Sequence, residues 1–149
     1  MIVAVVSAAV PLLVNGLGNV LSSDSHPKCP GAACAGKNPN TEGCGVDALT
    51  YQPGPDNPVY LQVRYSKRCG AAWGRITNGE VGDDVTIAVD GGGTSEAVIT
   101  SYHDMYTNMV TVGRTFRVKV CAHPTVNPEA SVRWKAYCIE AVDTTEWKP

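Results

Sequence analysis

The stretch Val59-Tyr60-Leu61-Gln62-Val63-Arg64-Tyr65 decides the fold class. Val59, Leu61, Val63 and Tyr65 alternate with Tyr60, Gln62 and Arg64, and successive side chains of an extended chain point to opposite faces. A period of two therefore predicts a strand with one buried face. The punctuation repeats downstream. Ala71 to Ile76 predicts a second strand, and Val85, Ile87 and Val89 a third behind a Gly82-Asp83-Asp84 turn. Gly91-Gly92-Gly93 permits the positive φ of a tight hairpin. Ala97, Ile99 and Ser101 alternate with Val98, Thr100 and Tyr102 in the returning strand, and Met109, Val110 and Val112 mark a short one. Phe116, Val118 and Val120 against Arg117 and Lys119 form an amphipathic strand. The last strand interleaves Val132, Trp134, Ala136 and Cys138 with Arg133, Lys135, Tyr137 and Ile139. No apolar stripe has the helical period. About seven short antiparallel strands separated by turns predict an all-β sandwich or barrel.

Upstream, residues 22–58 are rich in Gly, Pro, Asn, Asp and Ser, which predicts an irregular loop region ordered by its cysteines. The 149-residue chain holds six: Cys29, Cys34, Cys44, Cys69, Cys121 and Cys138. An even set in a short chain reads as disulfides, with about fifteen formal connectivities. Cys29 and Cys34 are close enough for a local ring, Cys44 then reaches forward to Cys69, and Cys121 with Cys138 joins two neighbouring strands. Zinc is the competing reading, but tetrahedral sites favour two close ligand pairs, and half of these cysteines lie far from any other. Disulfides place the domain, residues 24–149, in an oxidising compartment, secreted or in the cell envelope.

Residues 1–23 read as a signal-like or anchor-like segment or an apolar tail, uncharged from Ile2 to Ser23. Val6-Ser7-Ala8 fits a small-residue cleavage pattern, whereas Pro11, Asn15, Gly16 and Gly18 weaken a membrane span. Val10, Pro11, Leu12 and Leu13 are candidate partner contacts if the tail inserts into a cleft. Any membrane contact is expected only through this segment.

The formal net charge of −2 gives no basic footprint for nucleic acid. His26, His103 and His123 are scattered without metal-ligand spacing. His103-Asp104 adjoin, but neighbours on a strand face opposite ways, so a polar loop is expected. No Gly-x-Ser-x-Gly elbow marks a nucleophile, and nothing follows the triple glycine to make it a phosphate cradle. Asp83, Asp84 and Asp90 read as turn residues before they read as calcium ligands. The expectation is no catalytic residue, no cofactor and no metal. Tyr60, Arg64, Tyr65, Lys67, Arg68, Trp73 and Arg75 mix cations with aromatics and form the candidate contact face. Against that stands a structural reading in which Trp73 fills the core beside a disulfide and Arg75 pairs with an acid such as Asp47.

Three strings carry a resemblance: Cys29-Pro30-Gly31-Ala32-Ala33-Cys34-Ala35-Gly36-Lys37-Asn38-Pro39, then Gly43-Cys44-Gly45-Val46-Asp47-Ala48, then Val63 to Ile76 with Arg68-Cys69-Gly70-Ala71-Ala72-Trp73-Gly74-Arg75 at its heart. The chain resembles the YjfA-like secreted domain of unknown function known from actinobacteria and bacilli. The resemblance implies extracytoplasmic placement and fold, and supplies no reaction.

The functional expectation is a secreted, non-enzymatic binding or adaptor domain with a protein partner, by analogy a subunit of an extracellular complex such as a toxin particle. The alternatives are a membrane-anchored extracytoplasmic sensory domain and an enzyme inhibitor or small hydrolase. A hydrolase would need acids such as Asp47, Asp104 and Glu140 to converge.

Overall fold

The computed structural model describes residues 27–54, 57–126 and 134–149. The apolar segment with Val10, Pro11, Leu12 and Leu13 lies outside the described residues, as do His26, Val132 and Arg133.

Two antiparallel sheets stack as a sandwich. The first orders β1 (Leu49–Tyr51), β2 (Tyr60–Ser66) and β3 (Ala71–Thr77), with β6 (Met105–Tyr106) and β7 (Val110–Thr111) sharing the far edge of β3. The second orders β5 (Thr94–Val98), β4 (Asp84–Val89), β8 (Arg117–His123) and β9 (Tyr137–Val142). The expected alternation is met in β2, where Leu61 and Val63 are buried between the sheets while Tyr60, Gln62 and Arg64 face out. Val85 and Ile87 of β4, Val118, Val120 and Ala122 of β8, and Ile139 and Ala141 of β9 complete the core from the other side.

Several strands differ from the sequence reading. The returning strand stops at Val98: Ile99 still donates its N–H to the Asp83 carbonyl, and the chain then turns through Tyr102 at a φ of 59°. The final strand begins at Tyr137 and buries Ile139 and Ala141, leaving Cys138 outside with Cys121 directly across from it. The predicted face of Trp134, Ala136 and Cys138 is therefore not the buried one, because the disulfide and the inward Val120 and Ala122 fix the register. β1 and β6 lie where only loop was expected. β1 is held entirely by long-range pairing, Leu49 to Tyr51 with Tyr65 to Val63 and Thr50 with Lys148, which leaves no local period to read. β6 and β7 are two residues each because Thr107 interrupts their shared lane. It is buried, its N–H donates to the Gly74 carbonyl at 2.9 Å, and its Oγ1 accepts from the Gly74 N–H at 3.1 Å. The Gly91 hairpin forms as expected, with Gly91 at a φ of 68°.

Tyr65 points inward, its ring centroid 4.9 Å from Phe116 and 5.4 Å from Trp147. It packs one end of the core and is not part of an outer contact face. Among the described residues, no helix is long and apolar enough to cross a membrane.

Gly74 faces the second sheet against Val120 and Val85. A Cβ there would lie 2.9 Å from Val120 Cγ1 and 3.3 Å from Val85 Cγ2, both on side chains stiff at χ1. Gly74→Ala should cost about 1–3 kcal/mol by overpacking, read as a fall in the urea midpoint at unchanged slope.

At the other end, Tyr137 donates its hydroxyl to the Val59 carbonyl at 2.7 Å. Burial holds its pKa above the ordinary phenol value, opposed by a hydrogen bond from the Leu61 backbone and reinforced by Tyr60. The folded state keeps this proton where the unfolded chain, titrating near about pH 10, has lost it. Stability is therefore undiminished below that pH and falls as pH rises through the folded value. Tyr137→Phe should lose about 1 kcal/mol at neutral pH and flatten the alkaline decline, measured by urea unfolding on both sides of about pH 10.

Candidate functional site

The stapled segment folds onto the outside of the first sheet. Gly31–Cys34 forms one turn of 3-10 helix, and the chain is pinned by Gly31 N–H to the Cys69 carbonyl, Gly36 N–H to the Met109 carbonyl and Met109 N–H to the Lys37 carbonyl. The disulfides are Cys29–Cys34, Cys44–Cys69 and Cys121–Cys138, as the spacing suggested. The first two touch, with Cys29 Sγ 3.8 Å from Cys44 Sγ. All four sulfurs lie within 4.8 Å of one another and are buried. With Ala71, Trp73 and Met109 they make a second small core outside the sheet. Trp73 is only 4% exposed, so it fills a core beside disulfides, as the structural reading held.

The rim of this core is polar. On β2 and β3, Arg64 stands opposite Trp73 and Gln62 opposite Arg75. The Arg64 guanidinium carbon lies 6.0 Å from the Trp73 ring centroid, within cation–π range. Arg75 pairs with Asp104 at 3.0 Å. It does not pair with Asp47, whose carboxylate accepts from Ser66 Oγ at 2.6 Å and the Arg68 N–H at 3.1 Å, closing the hairpin end. Asn40 donates to the Tyr106 hydroxyl at 3.0 Å. Together Asn40, Arg64, Trp73, Arg75, Asp104 and Tyr106 line an open depression of about 270 Å3.

The charges in it do not balance. Asp104 pairs with Arg75, and among the described residues no acid pairs with Arg64. Burial lowers the Arg64 pKa, and the like charge of Arg75 lowers it further. Tyr60 lies on the same outer face and is exposed. Lys67 and Arg68 project from the β2–β3 turn and do not line the depression. Of the predicted contact residues, then, Arg64, Trp73 and Arg75 converge, Tyr60 flanks them, Lys67 and Arg68 stand off, and Tyr65 faces the core. Asn40, Asp104 and Tyr106 escaped the sequence reading. Asn40 comes from the stapled loop, Asp104 from the loop before β6 and Tyr106 from β6 itself, and the only local hint was the acid of Asp104.

The opposite outer face is different. Arg117 lies 3.7 Å from Asp90 and 3.5 Å from Glu140, and Lys119 lies 3.5 Å from Glu140. That surface is a self-neutralised, solvated array around the Cys121–Cys138 bridge.

A smaller cleft of about 170 Å3 opens at one end of the sandwich, where Asn78, Glu80, Asp83, His103 and Trp134 meet. Its groups are occupied in holding loops. Buried Asp83 accepts the Glu80 N–H at 2.8 Å and the Thr125 N–H at 2.7 Å, which leaves it a loop anchor. His103 Nδ1 donates to the Gly79 carbonyl at 2.8 Å, while Asp104 is turned to Arg75, so the two neighbours form no acid–base pair. His123 pairs with Asp84 at 2.6 Å. Asp47, Asp104 and Glu140 serve separate partners at separate places and do not converge.

The sequence matches the family described as protein of unknown function (DUF2690) over residues 32–121. The chain belongs to this family. Comparison with curated proteins and with solved structures returns no match. The family span runs from inside the first disulfide ring to Cys121 and so encloses every residue lining the depression.

The two kinds of staple should behave differently. Cys44→Ser with Cys69→Ser releases a closed loop of 25 residues and should cost about 3 kcal/mol, with Trp73 fluorescence shifting to the red as its cover lifts. Cys121→Ser with Cys138→Ser, at a separation of 17, should cost a comparable amount and leave Trp73 emission unchanged.

Proposed function

We propose that this chain is an extracytoplasmic, non-enzymatic binding domain that docks a protein partner on the outer face of its first sheet. The observation that carries the reading is the charge imbalance at Arg64. A half-buried guanidinium within cation–π range of Trp73 and beside Arg75, with no acid partner among the described residues, is a costly arrangement for a free surface and a favourable one at an interface. The surrounding rigidity supports it, because two disulfides and a paired sheet fix these side chains before any partner arrives, and preorganised groups lose little entropy on binding. Three disulfides in a small domain are consistent with placement outside the cytosol, and the resemblance to YjfA-like secreted domains supports the same compartment. An adaptor role in an extracellular complex is the fuller form of this proposal.

The test is co-purification from the producing cell's envelope and medium, using the full chain and its Arg64→Glu variant. Wild type should retain a protein partner that the variant loses by about tenfold or more. Equal retention by both, or retention of nothing by either, overturns the reading. Unchanged urea unfolding of the variant confirms that the loss is not one of folding.

A further inference from the structure

The charges in the depression define more than a sticky face. We infer that the Arg64–Trp73–Arg75 depression is a built site for a single carboxylate, the side chain of an Asp or Glu presented by the partner. This rests on the docking reading above and adds the chemistry of the group recognised.

Four observations converge. Arg64 and Arg75 stand on adjacent strands as a diagonal pair two residues apart in register, on the same face, and both line the depression. A planar guanidinium offers paired N–H donors that match the two oxygens of a carboxylate. Arg75 already holds a carboxylate through one of its nitrogens, since Asp104 Oδ2 meets its Nη2 at 3.0 Å. The same depression holds the Asn40 amide and the Tyr106 hydroxyl, both polar groups able to meet an oxyanion's second oxygen. The Trp73 ring beneath Arg64 limits its rotamers, which lowers the ordering cost of accepting a ligand.

The balance of charge selects the ligand. Two cations against Asp104 leave one positive charge unmatched, which suits a monoanion and undercompensates a phosphate dianion. The chain's formal net charge of −2 supplies no wider basic field to hold a polyanion. An acidic side chain on a protein partner meets both conditions.

The test needs no partner in hand. Side-chain Nε–H signals of Arg64 and Arg75 and the Trp73 indole N–H are followed by 1H–15N NMR in the full oxidised chain. N-acetyl-glutamate amide is titrated in, with N-acetyl-glutamine amide as the uncharged control and inorganic phosphate and sulfate as alternative anions. The expected result is saturable shifts of these signals in the millimolar range with the glutamate probe, absent with the glutamine probe. Arg64→Gln should abolish saturation, and Arg64→Lys, which keeps the charge and loses the fork, should weaken it by about tenfold. Backbone spectra matching wild type show that both variants fold. Shifts that rise linearly without saturating, or that persist in Arg64→Gln, overturn the inference, as does tighter saturation by phosphate or sulfate. If the glutamate probe fails while Arg64→Glu still loses the co-purified partner, the docking face stands and only its carboxylate chemistry is refuted.

Discussion

Strand β3 is covered on both faces, and the rest of the molecule is arranged around that constraint. Ala72, Gly74 and Ile76 face the second sheet, while Ala71 and Trp73 face the sulfur cluster. Most strands of a two-sheet sandwich bury only one side. Here the second cover is a loop region too rich in glycine and proline to pack by itself, and covalent bonds hold it down. Cys44–Cys69 ties that region to the β2–β3 turn, and Cys29–Cys34 closes the ring that lies against it. Without those links, Trp73 would lose its cover on the outer sheet face, and the loop would lose its packing on Trp73, Ala71 and Met109.

The proposed binding face follows from where this cover stops. The stapled loop shelters Trp73 but ends short of Arg64 and Arg75, so the edge of a buried core becomes the floor of a polar depression. An arginine is suited to such a boundary, because its stem and planar head can lie on an aromatic ring while its edge donors remain available. Removing part of its hydration without supplying an anion raises the cost of its charge, and Arg75 raises it again. That unrelieved cost is what an incoming carboxylate would relieve. Disulfides therefore do more than stabilise: they set the geometry in which the cation waits.

Legibility in the sequence tracked the range of the interactions. Strands with a local alternation, β2, β4 and β8, were readable because each carries its own two-sided pattern, whereas β3, buried on both faces, was readable only as an uncharged run before Arg75. The three disulfides were readable from spacing once a sheet was assumed. β1 and β6 were not, since three and two residues leave no period and both exist only by pairing with β2 or β3. Tyr65 shows the limit of composition as a guide to surfaces. It stands between cations in the chain, yet strand parity sends it inward to Phe116 and Trp147. The same parity brings Arg64, Trp73 and Arg75 to one outer face, and that part of the face could be anticipated. Its remaining members could not, because Asn40, Asp104 and Tyr106 reach it through tertiary folding alone.

The contrast between the two outer faces carries the functional argument furthest. Both present arginine beside acid, and a composition count would not separate them. On the second sheet, Arg117 and Lys119 share Glu140, Arg117 also approaches Asp90, and every group stands about half exposed or more, so water and neighbours satisfy them. On the first sheet, Asp104 serves Arg75 alone, no acid among the described residues pairs with Arg64, and the Arg64 guanidinium carbon lies 6.0 Å from the ring centroid of buried Trp73. Surface ion pairs in high dielectric contribute little either way. A half-desolvated cation without an anion is different, because its cost persists until something supplies the missing charge. Among the described residues, the two polar faces have a similar make-up, and the one beside the sulfur cluster holds an arginine that no acid pairs.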